Sequence, residues 1–423
     1  MTAASSDPIT LRCRHVLPMG GPPLDGGWVC LRDGRITALG RRRPSGPTVD
    51  LGDAVIIPGL VNAHTHLEFS DTRSPLDAAG GLPAWIERVV GLRRARGDDT
   101  RVEEGRVRAA IGAGLAESAR AGVTAIGEIA TTSPLDAYAL PGPRVRVFRE
   151  ALALANPAVQ VALHRITSAL GSRPAGAALL GISPHAPYSV AAPLGRAVVA
   201  LARRHALPVA MHIGESREEA ALSAGGAGPF RDLLGRLGAW PLEQTPRLLP
   251  AADWITLLAR APRGMVVHGT FLPDDHVAMA RLARHRDRLC MAVCPRTTQR
   301  LSGRLPPVAA FLAAGLRVAI GTDSRASNPD LSLLAECRVL VDAGVVQPRE
   351  ALCMATRDGA WALGLERRCG LLAPGRPADL VILRPSAPHA DPFEAVLDPA
   401  TRIVATLRRG RQLWPIPPGT AIA

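Results

Sequence analysis

The sequence predicts an α/β protein: a TIM-like (β/α)8 barrel that carries a small β-sandwich built from both chain termini. Three observations lead there. Eight short apolar runs are spaced along the middle of the chain with helical patterns between several of them, the mark of a parallel sheet. The two ends carry hairpin signals instead. Histidines and acidic residues fall where the apolar runs end, and that is where a barrel assembles its site.

From the N-terminus, GGWVCLRDGRITALG sets an Asp33-Gly34 turn between two apolar stretches. Asp-Gly tolerates the positive φ values that two-residue hairpin turns demand. At the far end, ADLVILRPS and IVATLRRGRQLWP are strand-like, with a turn near Gly410. Short hairpins cannot bury an apolar face alone. Residues 1–57 and 370–423 are therefore expected to form one small β domain, with residues 11–40 and 378–415 in a shared sheet, flanking a catalytic barrel over 58–369. The barrel strands are expected at 54–64, 124–129, 145–151, 181–186, 208–214, 265–270, 290–295 and 317–323. Helices are expected over 101–121 and 193–205. A doubly wound open sheet competes with the barrel, but no strand is followed by the Gly-x-Gly-x-x-Gly turn that would favour it.

Composition narrows the function classes. The 423 residues carry a net charge of +13, with no lysine and fifty arginines spread along the chain; the densest short run is Arg41, Arg42 and Arg43. A nucleic-acid protein gathers its charge on one element, so no nucleic-acid partner is expected. No window is a transmembrane span, and Asp7, Arg12, Arg14 and His15 interrupt any signal-peptide core. The expectation is a cytoplasmic protein acting on a small molecule without a membrane partner, with a homo-oligomer left open. The seven cysteines have no Cys-x-x-Cys spacing and read as reduced, buried thiols.

The chemistry lies at the strand ends. His64 and His66 are two apart on the first strand, so both point to one face and can meet one metal. His212 ends the fifth strand and Asp323 the eighth. Three imidazoles and a carboxylate suit one divalent ion, zinc first, with iron or manganese as alternatives. Each residue alone has an ordinary explanation, such as a core histidine or a helix cap. Their joint placement in apolar runs, where ionisable groups need a reason, favours the site.

PGLVNAHTHLEFS (58–70), MHIGES (211–216), VVHGTF (266–271) and GTDSRASNPDLSL (321–333) resemble the amidohydrolase superfamily, in the branch holding cytosine, guanine, S-adenosylhomocysteine and aminodeoxyfutalosine deaminases and triazine chlorohydrolases. LRDGRITALG and GLLAPGRPADLVIL resemble that family's flanking sheet domain. The resemblance implies a mononuclear site of His64, His66, His212 and Asp323, with Asp323 also a base, Glu215 a proton shuttle, and His268 orienting water or polarising substrate. A carboxylated lysine bridging two metals is excluded, since the chain has no lysine. The implied reaction is deamination of an amino-substituted nitrogen heterocycle: metal-activated water attacks the carbon bearing the amine and ammonia leaves.

SPHAPYSV (183–190) resembles the segment through which nucleoside deaminases of this branch contact substrate, here by His185. Glu68 either accepts from ribose hydroxyls or an exocyclic amine, or is a solvated loop carboxylate. Trp85 either stacks on a ring or packs a helix. Arg149 can clamp a substrate carboxylate, but strand alternation leaves open whether Arg149 or Glu150 faces inward. NAHTHLEFS, LPAWI and GTDSRASNPDLSL look most like aminodeoxyfutalosine deaminases, which act in menaquinone biosynthesis, whereas CPRTTQRL departs from the Cys-Pro-x-Ser-Asn form common in the branch. The alternatives are hydrolysis of a cyclic amide or a chlorinated triazine-like ring on the same site, and a metal-free scaffold.

Overall fold

A computed structural model describes residues 7–42, 46–95, 100–171, 178–241 and 246–414. Arg43 and the outermost residues of both terminal segments fall outside these ranges. The middle of the chain forms one eight-stranded parallel sheet in sequential order. Its strands are β1 (Leu60–Thr65), β2 (Val123–Ala130), β3 (Arg144–Ala151), β4 (Leu179–Pro184), β5 (Val209–Ile213), β6 (Gly264–His268), β7 (Leu289–Val293) and β8 (Arg317–Ile320). A parallel bridge between Thr65 and Asp323 closes the first strand onto the chain just past the last. The (β/α)8 barrel expected from the apolar runs is the observed architecture.

Both faces of these strands are buried, so they read as unbroken apolar runs rather than alternating ones. The inward face is filled mainly by small side chains, Ala63, Ala125, Ala210, Ala292 and Ala319, with Phe148 and Met265 taking up the remaining volume. The outward face, including Val145, Val147, Val209, Met211 and Val266, packs beneath the helices. Helices over Thr100–Arg120 and Ala192–Arg204 match the two read from the sequence. Among the described residues no helix is long and apolar enough to cross a membrane. All seven cysteines are free and none is exposed.

The terminal segments form two stacked sheets. Arg35–Gly40, Trp28–Arg32, Ile9–Arg12 and Thr48–Asp50 make a four-stranded sheet in that order. Arg411–Trp414, Arg402–Arg408, Leu380–Arg384, Val55–Pro58, His15–Val16 and Leu24–Asp25 make a six-stranded one. Leu11, Val29 and Ile36 of the first pack on Ile56, Leu380 and Ile382 of the second. Both hairpin turns are as the dipeptides require: Asp33 and Gly34 have φ of 50° and 72°, and Arg409 and Gly410 have 51° and 70°.

Two expectations need correction. Residues 11–40 and 378–415 share one sheet only in part: His15–Val16 and Leu24–Asp25 join the six-stranded sheet of the C-terminal strands, whereas the hairpin Trp28–Gly40 covers its apolar face by stacking on it. The run 54–64 is also two strands in two different sheets, Val55–Pro58 beside Leu380–Arg384 and β1 beside β2. The changeover is at Gly59, whose N–H donates to the Asp379 carbonyl at 3.0 Å. A Cβ there would lie 2.1 Å from Thr124 Oγ1 and 2.7 Å from Thr124 Cβ. Overpacking of this kind costs about 1–3 kcal/mol, so Gly59→Ala is expected to lower the denaturant midpoint. An unchanged midpoint would show that the junction yields.

Candidate metal centre and substrate cavity

The C-terminal ends of β1, β5, β6 and β8 bring His64, His66, His212, His268 and Asp323 together. One donor atom each from His64, His66 and His212 lies within 4.8 Å of the other two. Asp323 Oδ1 is 3.5 Å from Nε2 of both His64 and His66. Both ring nitrogens of His64 are buried without a hydrogen-bond partner. Such orphaned groups are costly and demand an explanation. A divalent cation supplies one, and the set of three imidazoles and a carboxylate fits it.

Neighbouring groups aim these side chains. His212 Nδ1 lies 2.9 Å from the His185 carbonyl, which fixes the tautomer and leaves Nε2 as the free donor. Ser327 Oγ donates to Asp323 Oδ2 at 2.6 Å, so Oδ1 remains for the imidazoles. The amides of Thr322 and Asp323 donate to the His64 carbonyl at 3.1 and 3.0 Å. Asn62 Nδ2 donates to Thr322 Oγ1 at 2.8 Å. After His66 the chain enters a 3-10 turn, Leu67–Phe69, held by the Leu67 amide donating to the buried Glu128 carboxylate at 2.9 and 3.1 Å. His268 and Asp323 have φ of 66° and 54°, a left-handed conformation that costs energy for residues with a Cβ and collects at functional sites. Sequence reading missed Asn62, Glu128 and Ser327. Only Asn62, in phase with His64 on β1, carried a readable signal.

Burial sets the protonation states. It drives the His66 pKa down to about 4 and that of His268 to about 3, and His212 falls well below the usual range, so all three stay neutral and able to bind a cation. For Asp323 burial opposes ionisation, but the His64 and His66 imidazoles beside it outweigh burial and hold its carboxyl below the ordinary range. Glu215 goes the other way. Burial, then the charges of Asp323 and Glu219, push its carboxyl well above the usual value. Its Oε1 lies 3.5 Å from His268 Nε2. Two nearby carboxyls are thus held in opposite states, the arrangement expected of an acid beside a base.

A cavity of about 200 Å³ opens over this cluster. Its floor is His66, His212, His268, Asp323 and Glu215, continued by Glu150 and His185. Its vault is apolar: Leu82, Trp85, Ile86 and Val89 from the helix Gly81–Ala95, and Leu233 and Leu234 from Pro229–Arg236. A larger cavity of about 640 Å³, between Leu312, Arg317, Arg357 and Trp361, contains none of these residues. Trp85 and His185, singled out from the sequence, line the site cavity. Glu68 does not; it is buried in an ion pair with Arg93, which lines the cavity instead. Arg149 also does not line it. Glu150 shares the inward face of β3 with Phe148, while the Arg149 guanidinium donates to the Ser133 carbonyl at 2.6 Å.

Residues 55–413 match the amidohydrolase family. The chain is 28% identical over 396 residues to a 5-methylthioadenosine/S-adenosylhomocysteine deaminase of Moorella thermoacetica, an alignment covering 89% of this chain and 86% of that one. Among solved structures it is similar to the aminofutalosine deaminase of Helicobacter pylori in complex with methylthio-coformycin, with a TM-score of 0.80, 23% identity, and 95% and 99% of the two chains covered. It is also similar to an adenosine deaminase from Xanthomonas campestris with bound zinc, with a TM-score of 0.74, 23% identity, and 96% and 92% covered.

Purified protein is expected to hold about one zinc, iron or manganese ion per chain, measurable by elemental analysis; two ions, or none after reconstitution, would count against the cluster. Gly321 offers a test that replaces none of the candidate ligands. A Cβ there would lie 2.7, 2.8 and 2.9 Å from O, Cβ and N of His64. Gly321→Ala should therefore displace His64 and lower metal occupancy and activity together.

Proposed function

The chain belongs to the amidohydrolase family, and on that premise we propose that it is a metal-dependent deaminase of adenine nucleoside-like substrates, replacing the ring amine by a carbonyl and releasing ammonia. It is a hydrolase of carbon–nitrogen bonds other than peptide bonds. The observation that carries the reading is the placement of Glu215: a buried carboxyl 3.5 Å from His268, at the edge of the histidine–aspartate cluster, where burial pushes it well above the usual range. We assign His64, His66, His212 and Asp323 as the metal ligands. A divalent ion held there, zinc in our reading, supplies the Lewis acidity that makes water a nucleophile near neutral pH.

The remaining work falls to the chain. Glu215 in its acid form donates a proton to the ring nitrogen next to the amine-bearing carbon, which makes that carbon electrophilic. The resulting carboxylate then carries a proton to the departing amine, so that water and the aminated ring become ammonia and a ring carbonyl. Neutral His268 orients the attacking water beside Glu215. Asp323, held ionised, accepts a proton through Oδ1. Trp85 provides an apolar face against the heterocycle.

Within this class we propose a substrate with an extended 5′ group, of the aminodeoxyfutalosine type used in menaquinone biosynthesis. The apolar vault suits the body of such a group, and Arg93 replaces Arg149 as the cation at the cavity. The vault supports a second reading as well: Arg93 is already paired with Glu68, which favours a neutral thioether such as 5-methylthioadenosine.

Glu215→Gln is expected to lower kcat/KM by about 10²–10⁴-fold with the metal retained. The raised pKa means that the active, protonated form is lost as pH rises, so the unsubstituted enzyme should lose activity on its alkaline side and the variant should lack that limb. Near-full turnover by the variant would reject the mechanism. Arg149→Met should leave a carboxylated substrate and 5-methylthioadenosine equally well used. Arg93→Met should raise KM for the carboxylated one alone, provided the melting temperature shows that Glu68 tolerates losing its partner.

A further inference from the structure

Glu219 takes no part in the mechanism above, yet it is bonded to the backbone that carries Glu215. It lies in the first turn of the helix Arg217–Gly225, is 2% exposed and does not line the cavity. Ser216 caps that helix, its Oγ accepting from the Glu219 amide at 3.3 Å. In an ordinary capping box the side chain three residues on reaches back to the cap residue's own amide. Glu219 reaches further. Its Oε1 accepts from the Gly214 amide at 2.7 Å, and the next amide, that of Glu215, also favours its ionised form. Oε2 is buried with no hydrogen-bond partner among the described residues. Burial pushes the carboxyl up to about 7 in spite of the two amides. A buried carboxyl with an orphaned oxygen is a costly way to end a helix, so capping alone does not account for it.

The backbone that Glu219 grips is fastened on its other side as well. The Gly214 carbonyl accepts from the Phe271 amide at 2.8 Å, and the Ile213 carbonyl accepts from the Gly269 amide at 3.1 Å. These bonds tie the end of β5 to the loop that follows His268 at the end of β6. Gly214 turns the chain between them with a φ of 69°, and a Cβ there would lie 2.6 Å from Leu272 Cγ. Gly214 is therefore held through its carbonyl by the His268 loop and through its amide by Glu219. Glu215 follows directly, with its Oε1 3.5 Å from His268 Nε2. Of these hydrogen bonds, the one from Gly214 to Glu219 is made to a side chain, and a substitution can remove it.

We infer that Glu219 is a positioning residue: by holding the Gly214–Glu215 backbone against the His268 loop, it sets the direction in which Glu215 presents its carboxyl. The inference rests on the reading of Glu215 as the proton carrier. It extends the site into the helix Arg217–Gly225, behind the cavity wall. A capping role would register in stability alone. A positioning role registers in kcat, because a displacement of about 1 Å in a reacting group can cost about 10²-fold in rate.

The metal-loaded enzyme is compared with Glu219→Ala, Glu219→Gln, Glu215→Gln and the double variant Glu215→Gln/Glu219→Ala, by ammonia release from adenosine and 5-methylthioadenosine. Crystal structures of the metal-loaded enzyme and of Glu219→Ala complete the comparison. Glu219→Ala is expected to lower kcat about 10–100-fold with KM and metal content unchanged, and to move the Glu215 carboxyl away from His268. Glu219→Gln keeps an acceptor for the Gly214 amide and should recover part of the loss. In the Glu215→Gln background the alanine substitution should cost almost nothing more, since the carboxyl it acts through is already gone. Should a melting curve show that Glu219→Ala does not fold, Glu219→Met, which fills similar space without a carboxyl, takes its place throughout. Losses that multiply in the double variant overturn the inference. So does an unchanged Glu215–His268 geometry in the crystal of the Glu219 variant. Near-full turnover by Glu215→Gln instead removes the proton-carrier reading. Absence of ammonia release by the unsubstituted enzyme removes the deaminase, and the crystal comparison then still decides whether Glu219 sets the Glu215 geometry.

Discussion

The site depends on how the barrel closes. The His64 carbonyl, on the first strand, accepts the amides of Thr322 and Asp323 just beyond the last, and Thr65 Oγ1 donates to the Asp323 carbonyl at 2.7 Å. The bonds that complete the barrel are thus the bonds that set a carboxylate beside two imidazoles. Any slip of β8 against β1 would open the barrel and separate Asp323 from His64 and His66 at once. This explains why a left-handed backbone at Asp323 is tolerated: the local cost is held by a seam that the whole fold maintains.

Around that seam, burial acts on acids and bases in opposite senses. Removing water favours the neutral form of every group, so burial lowers the pKa of His66, His212 and His268 and raises that of Glu215. Asp323 is the exception, because the histidines around it favour its charged form more than burial disfavours it. Glu215, beside His268 but buried and facing the charges of Asp323 and Glu219, has its carboxyl pushed well above the usual range. One dry pocket therefore shifts two carboxyls in opposite directions without any special feature in either side chain.

Much of this was legible in the sequence. Strands buried on both faces produce unbroken apolar runs, so all eight barrel strands could be found, and strand ends in such runs expose out-of-place polar residues such as His212 and Asp323. The rest was hidden for particular reasons. Glu68 follows His66 at the spacing of a strand, but the chain turns into a 3-10 helix at Leu67, and period two no longer applies. Arg149 and Glu150 could not be told apart by alternation alone; the parity set by Phe148, which fills the barrel interior, resolves them. Gly59 divides two sheets at a Pro58-Gly59 pair, a break signal that the apolar run on either side conceals. Glu128 acts across a contact between distant segments, which a single sequence does not reveal, and Ser327 acts through a loop that folds back on Asp323, four residues before it.

The alanine-lined barrel interior has a consequence for how this protein can change. Alanine has no rotamers to lose, so the floor beneath the cluster is rigid with little ordering cost, and a larger side chain at Ala63, Ala210 or Ala319 would have no room to turn aside. Heritable variation is thereby steered away from the floor. New specificities would arise in the roof, in the helices Gly81–Ala95 and Pro229–Arg236, where side chains can be exchanged without disturbing the chemistry below.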